Sequence, residues 1–328
     1  MTGIDVTKMT PPHGYLVRPP TVEDAASVAH VIAACRGDDT GVADTTAEEV
    51  IDDWHGIDLS TDALMVLGTD GHLAGYVDVL NRGYVVLTIY GYVLPEDRNR
   101  GIGRFLVSWG EAWLRDRLPR VPEGSRVVVQ HFVDGSNHRG QDLLASAGYE
   151  AVRVTYEMGI ALDTPPAAPA YPAGIIARTF RPGRDEVVCH AAVEDAFRDV
   201  WGRPAGAFER FKEMTTREAF DPTLWLLAWD GDEVAGVALG RRMGDEGWTD
   251  VVGVRREWRG RGLGLALLQD AFRAYGERGV RKVGLSVDAE SVTGAPRLYE
   301  RAGMTVTRTH LLYRKELRAP TLSDAPDG

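Results

Sequence analysis

The sequence predicts an α+β fold in two tandem copies, each a mixed, mostly antiparallel sheet flanked by helices. Three observations predict it. Landmarks recur in one order, about 160 residues apart: Arg18 and Arg178, Gly75 and Gly236, Arg98 and Arg259. Self-similarity at so long a period means a repeated domain rather than a solenoid. Between the copies, LDTPPAAPAYPAG at residues 162–174 reads as an extended linker. Within each copy, strands and helices follow an order that fits an α+β layer arrangement and not a doubly wound parallel sheet. The first copy is expected over residues 14–161 and the second over 175–317, with a disordered tail at 318–328.

The second copy shows the elements best. GIIARTF reads as a short strand. Residues 184–200 read as a helix, with Val187, Val188, Ala191, Val193 and Phe197 apolar at roughly helical spacing. AFERFKEMT suggests a second helix. LWLLAW and VAGVALG flank an aspartate–glycine turn and read as a hairpin. WTDVVGV adds a third meander strand, and LGLALLQDAFRAYGERG an amphipathic helix ending at glycine. KVGLSVD, GAPRLYERAG and MTVTRTHLLYRKEL complete the order as strand, helix and strand.

A chain of 328 residues is long for one domain and comfortable for two. Its apolar runs are too short to span a bilayer, and its start lacks the pattern of a secretion signal; both point to the cytoplasm. The two cysteines, Cys35 and Cys189, read as buried thiols and cannot build a four-ligand metal site. A formal charge of −11 argues against nucleic acid, whose binders carry a basic stripe. The basic residues cluster at two places, RNRGIG at 98–103 and RGRGLG at 259–264.

Each of these turns follows a strand and opens a helix. A helix start leaves N–H groups unpaired and carries partial positive charge. Glycines permit positive φ and close approach, and arginines add charge. Such a turn is suited to a phosphate or diphosphate. The third glycine of a dinucleotide-binding turn is missing, since Leu267 stands there, and no Gly-Lys-Ser/Thr occurs. A plain tight turn is the alternative reading, made less attractive by the repetition.

The R-x-x-G-x-G turn after a hairpin strand, with SVTGAPRLYERAGM about 30 residues on, resembles the GCN5-related N-acetyltransferase (GNAT) family. The layout is that of its tandem-domain members, such as mycothiol synthase and its actinobacterial relatives. The resemblance covers nearly the whole chain and implies acetyl-CoA or another acyl-CoA as cosubstrate, with no metal. In the second copy it implies coenzyme contacts at Val252, Gly253 and Val254, at Arg259, Gly260, Arg261, Gly262, Leu263 and Gly264, and at Ser291 in place of the family's asparagine. In the first copy the corresponding positions are Tyr92 and Val93, then Arg98, Asn99, Arg100, Gly101, Ile102, Gly103 and Arg104, with Asn137 retained.

Acetyl transfer to an amine needs a base for the ammonium proton and an acid for the departing thiolate. In the family the acid is commonly a tyrosine four residues before a glycine. Tyr299 stands so before Gly303, whereas Leu144 stands so before Gly148. Asp250, on the strand before the turn, is the candidate base; counting back equally in the first copy gives Ile89. Alternation puts Asp250 on the face of Val252 and Val254. Glu246 and Asp245 are rival bases, and Asp250 can equally cap a turn or pair with an arginine. The second copy is therefore expected to be catalytic. The first is expected to be degenerate, either retaining acetyl-CoA or purely structural.

The acceptor reads as a primary amine of a small molecule: an amino sugar, amino acid derivative or antibiotic. Glu194, Asp195 and Asp199 can attract a polycation or form a solvated helix face. Trp201, Trp225, Trp248 and Trp258 fit core packing or an acceptor wall. Neither nucleic acid nor membrane is an expected partner, and the chain is expected as a monomer or homodimer. The competing readings are a non-catalytic acetyl-CoA sensor or scaffold, and mycothiol synthase, against which Ser291 and the FRDVWG stretch argue mildly.

Overall fold

The computed structural model describes residues 9–320 apart from 42, 44, 165, 167, 199–207, 217–219 and 292; for 82 and 210 it describes the backbone alone. Asp199, Val200, Trp201 and most of the C-terminal tail lie outside the described residues.

The first repeat runs β1 (Tyr15–Arg18), α1 (Ala25–Thr40), α2 (Ala47–Asp53), α3 (Leu59–Asp62), β2 (Ala63–Gly68), β3 (Leu73–Arg82), β4 (Val86–Val93), α4 (Ile102–Arg117), β5 (Val127–Asp134), α5 (His138–Ser146) and β6 (Glu150–Ala161). The second runs β7 (Ile175–Thr179), α6 (Glu186–Ala196), α7 (Phe208–Met214), β8 (Trp225–Asp230), β9 (Glu233–Met243), β10 (Glu246–Val254), α8 (Leu263–Gly276), β11 (Lys282–Asp288), α9 (Ala295–Arg301) and β12 (Thr305–Arg318). The order expected from the second copy is the order observed, and among the described α-helices and strands the first copy adds the single turn of α3.

The chain packs as two compact units, one ending at Arg153 and resuming at His310, the other spanning Val154–Thr309. These bounds differ from the repeat bounds of 14–161 and 175–317 because the last strands trade places. β6 closes the second unit's sheet, antiparallel to β11 from Thr155↔Asp288 to Ala161↔Lys282. β12 closes the first unit's sheet, antiparallel to β5 from His310↔Asp134 onward. The linker's end also joins the second unit: Tyr171 packs on its core and donates to Asp270 at 2.8 Å.

In the first unit the strand order is β1-β2-β3-β4-β5-β12, and in the second β6-β11-β10-β9-β8-β7. In each, only the pairing after the central helix is parallel. That helix buries one stripe. α8 buries Leu263, Ala266, Leu267, Leu268, Ala271, Phe272 and Tyr275, an i, i+3, i+4 face. The opposite face of the second unit's sheet is covered by α6 through Cys189, Ala192 and Val193. Val187 and Val188, expected in the apolar stripe, are 66% and 38% exposed; the buried face runs instead through Cys189, Ala192, Val193 and Ala196. Cys35 and Cys189 are both buried free thiols.

A repeated ion pair holds each N-terminal strand to the helix start that follows it. Arg18 donates two bonds of 2.7 Å to Asp24, and Arg178 bonds of 2.6 and 3.0 Å to the buried Asp185. Paired, two-point guanidinium–carboxylate geometry of this kind fixes orientation as well as charge.

Candidate active site

In the second unit the chain leaves β10, makes a 3-10 turn at Arg256–Trp258, and enters α8 through Gly260 at φ +75 and Gly262 at φ +85. A Cβ added at either glycine meets nothing within 4 Å, so both are demanded by backbone conformation, and the space outside them is open. Gly264 serves another purpose, since its Cβ would lie 3.1 Å from Leu298 of α9. The first N–H groups of α8, on Leu263 and Gly264, have no preceding carbonyl to bond. The Arg259 side chain turns inward: Nε donates to the Val254 carbonyl at 3.0 Å and Nη2 to that of Ala196 at 2.8 Å, tying the end of α6 to β10. Arg261 is exposed. An anion here meets main-chain amides, a helix dipole and Arg261.

Beside the turn the sheet opens. β10 and β11 are paired at Gly247↔Val283 and Trp248↔Gly284, and the ladder between the two strands stops there. On its other edge β10 carries a bulge: Thr249 pairs with Gly240 and Val251 with Leu239, and Asp250 is the extra residue. The bulge breaks the alternation assumed for Asp250. Val252 packs toward the core under α8, whereas Val251 packs with the α6 cluster. Gly240 faces Tyr275 of α8, so its neighbour Arg241 faces the α6 side. Asp250 accepts from Arg241 Nε at 3.2 Å, and so lies on the α6 side rather than with Val252 and Val254. Gly253 is buried, and a Cβ there would meet Phe197 and Ala196 at 2.9 and 3.0 Å. Its missing side chain lets the end of α6 approach the strand.

Tyr299 is buried on α9 in the cluster of Met158, Leu268, Phe272 and Leu285. Burial pushes its phenol up to about 12, so it is protonated at neutral pH. Ser291 Oγ lies 3.0 Å from Thr293 Oγ1, and its carbonyl accepts from Gly294 N, the N-cap of α9. Glu246 opens β10 and pairs with Lys282 at 3.2 Å; Asp245 is exposed before the strand. Trp225 and Trp258 are core residues, and the half-buried Trp248 fills the space over Gly284.

The first unit repeats the scaffold. Gly103 would meet Leu143 and Val93 as Gly264 meets Leu298 and Val254, which makes Leu144 the counterpart of Tyr299. Asn99 at φ +63 and Gly101 at φ +86 stand for Gly260 and Gly262, and Ile102 is buried at the start of α4. The β3–β4 ladder has no bulge: Ile89 pairs with Val79 in unbroken register. Ile89 therefore corresponds to Thr249, and Asp250 has no counterpart. Tyr92 packs against α1 and α2 rather than toward a groove, Val93 packs at α4, and Arg104 is exposed. Arg98 pairs with Asp38 and, at 3.8 Å, with Asp39, while Arg100 pairs with Asp97 at 2.9 Å. Sequence reasoning passed over Asp38 and Asp39, which meet Arg98 and Asn137 only when distant segments come together, and Asp97 and Arg241, whose partners Arg100 and Asp250 lie three and nine residues away but carry no motif with them.

Comparison with known proteins agrees with this scaffold. The profile of the Acetyltransferase (GNAT) family matches residues 190–304. A mycothiol acetyltransferase of Geodermatophilus obscurus is 30% identical over 315 residues, covering 92% of this chain and 98% of that one. A crystal structure of a GCN5-related N-acetyltransferase from Sphaerobacter thermophilus is 49% identical, with a TM-score of 0.88 over 95% of this chain and 98% of that one. A tandem GNAT protein from the clavulanic acid biosynthesis pathway, 17% identical, shares the fold with a TM-score of 0.71 over 94% and 100% of the two chains. The chain belongs to the GNAT acetyltransferase family, in its tandem-domain form. It is an acyl-CoA-dependent N-acetyltransferase whose cosubstrate is acetyl-CoA. Among the described residues no group of three or more His, Cys, Asp or Glu is placed to hold a metal, and no helix is long and apolar enough to cross a membrane.

Proposed function

We propose that the second repeat catalyses acetyl transfer from acetyl-CoA to a primary amine of a small molecule: an amino sugar, amino acid derivative or antibiotic. The observation that carries this is the asymmetry between copies. Both have the turn, and in both the parallel ladder stops early, after Thr88↔Gln130 in the first and Trp248↔Gly284 in the second, but only the second adds a bulge carboxylate, Asp250, and, at the position of Leu144, a buried phenol, Tyr299. The α8 amides with Arg261 hold the diphosphate, and the gap where β10 parts from β11 after Trp248 receives the pantetheine chain. Asp250, on the α6 face, takes the ammonium proton directly or through water, and Tyr299 supplies a proton to the departing sulfur. When bound, acetyl-CoA supplies the activated acyl group. A thiol-release assay with acetyl-CoA and a panel of amines tests the proposal. Turnover with a small primary amine, lowered at least about tenfold in D250N and Y299F and kept in L144A, is expected. Acetyl-CoA binding with silence across the panel would favour the sensor or scaffold reading instead.

A second reading, that the acceptor is the one used by mycothiol acetyltransferases, is favoured by 30% identity running through almost the whole chain. Including that acceptor in the panel separates the two.

A further inference from the structure

The first repeat keeps the arginine–glycine turn, and the structure shows what its polar groups do. Three of them are Arg100, the counterpart of the exposed Arg261, Asn137 in the loop before α5, and Arg98, whose counterpart Arg259 turns inward. Each is engaged by carboxylates of its own unit. Arg98 pairs with Asp38 and lies 3.8 Å from Asp39. Asn137 Nδ2 donates to Asp39 Oδ2 at 2.9 Å, and Ser136 Oγ donates to the Asp39 carbonyl at 2.6 Å. Arg100 donates to Asp97 at 2.9 Å and to the Tyr15 hydroxyl at 3.2 Å, and that hydroxyl itself donates to Asp97 at 2.8 Å. Asp97 is 3% exposed and also receives His72 Nε2 at 2.8 Å.

The last turn of α1, which runs 16 residues to Thr40, carries Asp38 and Asp39 and brings the negative end of that helix's dipole to the arginine–glycine turn. The chain before β1 covers the other side: a Cβ on Gly101 would lie 3.7 Å from Pro12, where one on Gly262 meets nothing within 4 Å. At the position of Asp97 the second repeat has Trp258, and Arg261 there is exposed. Around the first turn stand Arg98, Arg100, the exposed Arg104 and His72 against Asp38, Asp39, Asp70, Asp97 and the nearby Asp134. The local charge is therefore negative where a diphosphate would need it positive.

We infer that the first repeat's turn is held shut by Asp38, Asp39 and Asp97, so that each chain binds one coenzyme, in the second repeat alone. The inference rests on the reading of the second turn as the coenzyme cradle. A coenzyme entering the first turn would have to displace three carboxylates from charge-assisted bonds, and its affinity there is at least about a hundredfold lower.

Titration calorimetry of the full chain with acetyl-CoA tests it. Wild type is expected to take one equivalent. R98A is expected to leave stoichiometry and affinity unchanged, and G262D to abolish binding. D38N/D39N is expected to gain a second, weaker equivalent. Wild type taking two equivalents, one of them lost in R98A, would overturn the inference and leave the catalytic assignment standing. D38N/D39N remaining at one equivalent would overturn the part given to the α1 carboxylates. If wild type turns over acetyl-CoA and G262D, still folded by circular dichroism, keeps its one equivalent, the cradle reading itself fails.

Discussion

Asp250 stands between two ladder pairs of β9 and β10, Thr249↔Gly240 and Val251↔Leu239, and its carboxylate accepts from Arg241 Nε at 3.2 Å. An extra residue in a strand re-aims a side chain at the cost of local pairing. Here it moves a carboxylate from the face of the central helix to the face of α6. If Asp250 takes the ammonium proton, D250N is expected to lower kcat/KM about a hundredfold with acetyl-CoA affinity kept. Deleting Asp250 restores the unbroken ladder of the first repeat, and is expected to remove activity while the fold persists by circular dichroism. Full activity in D250N would remove this residue from the mechanism.

Tyr299 supports a second prediction. Burial pushes its phenol up to about 12, so a proton is available throughout the neutral range. Y299F is expected to lower kcat by about ten- to a hundredfold with little change in the acetyl-CoA dissociation constant. The alkaline limb of kcat is expected near 12 rather than near an ordinary phenol's 10. The sign for stability follows from the same shift. Folded Tyr299 resists ionisation, so its contribution is full below 10 and is lost as pH rises toward 12. An unchanged kcat in Y299F would show the phenol to be packing alone.

The repeat, the element order and the glycine turns were legible because they are local: hydrophobic period, turn chemistry and spacing each leave a mark on neighbouring residues. The absence of Tyr299's counterpart was legible too, since Leu144 sits at the same distance from a glycine. The bulge was not. Counting back from Arg98 and Arg259 assumes equal strands, and one added residue turns Ile89 into the counterpart of Thr249 instead of Asp250. Nor was the exchange of β6 and β12. Both strands keep their place in the repeat's order, and only pairing over long sequence separation decides whose sheet they close. The closing of the first turn was hidden for the same reason, because Asp38 and Arg98 are held together by the fold and not by proximity in sequence.

Asp78 in the first unit leads to a third prediction. It lies on β3 opposite Tyr90, and burial pushes its carboxyl up to about 7, with the Asp53 charge adding and the Tyr76 hydroxyl opposing. A carboxyl whose folded value is raised favours the folded state fully only below its unfolded value of 3.8, and that advantage is lost as pH rises through 7. D78N is therefore expected to raise the unfolding free energy measured by urea denaturation at pH 8 by about 1–2 kcal/mol, and to change it little at pH 4. Equal effects at both pH values would show that ionisation of Asp78 is not the cause.

Gly240 gives the last prediction. A Cβ there would lie 1.9 Å from the Tyr275 hydroxyl, 2.9 Å from its Cζ and 3.1 Å from the Trp248 carbonyl. That hydroxyl, on a side chain 1% exposed, donates to the Trp248 carbonyl at 2.7 Å. Trp248 is the last residue of β10 paired with β11 before the sheet opens. G240A must therefore push the phenol aside and break the bond that fixes the strand just before the bulge. Overpacking of this kind costs about 1–3 kcal/mol, and the lost hydrogen bond about 1 kcal/mol more. Y275F removes the atom in closest conflict, so the double substitution is expected to be less destabilising than the sum of the singles by at least about 1 kcal/mol. Urea denaturation of the four proteins measures that coupling. Simple additivity would mean that Tyr275 does not occupy the space over Gly240, and that the strand carrying Asp250 is held by something else.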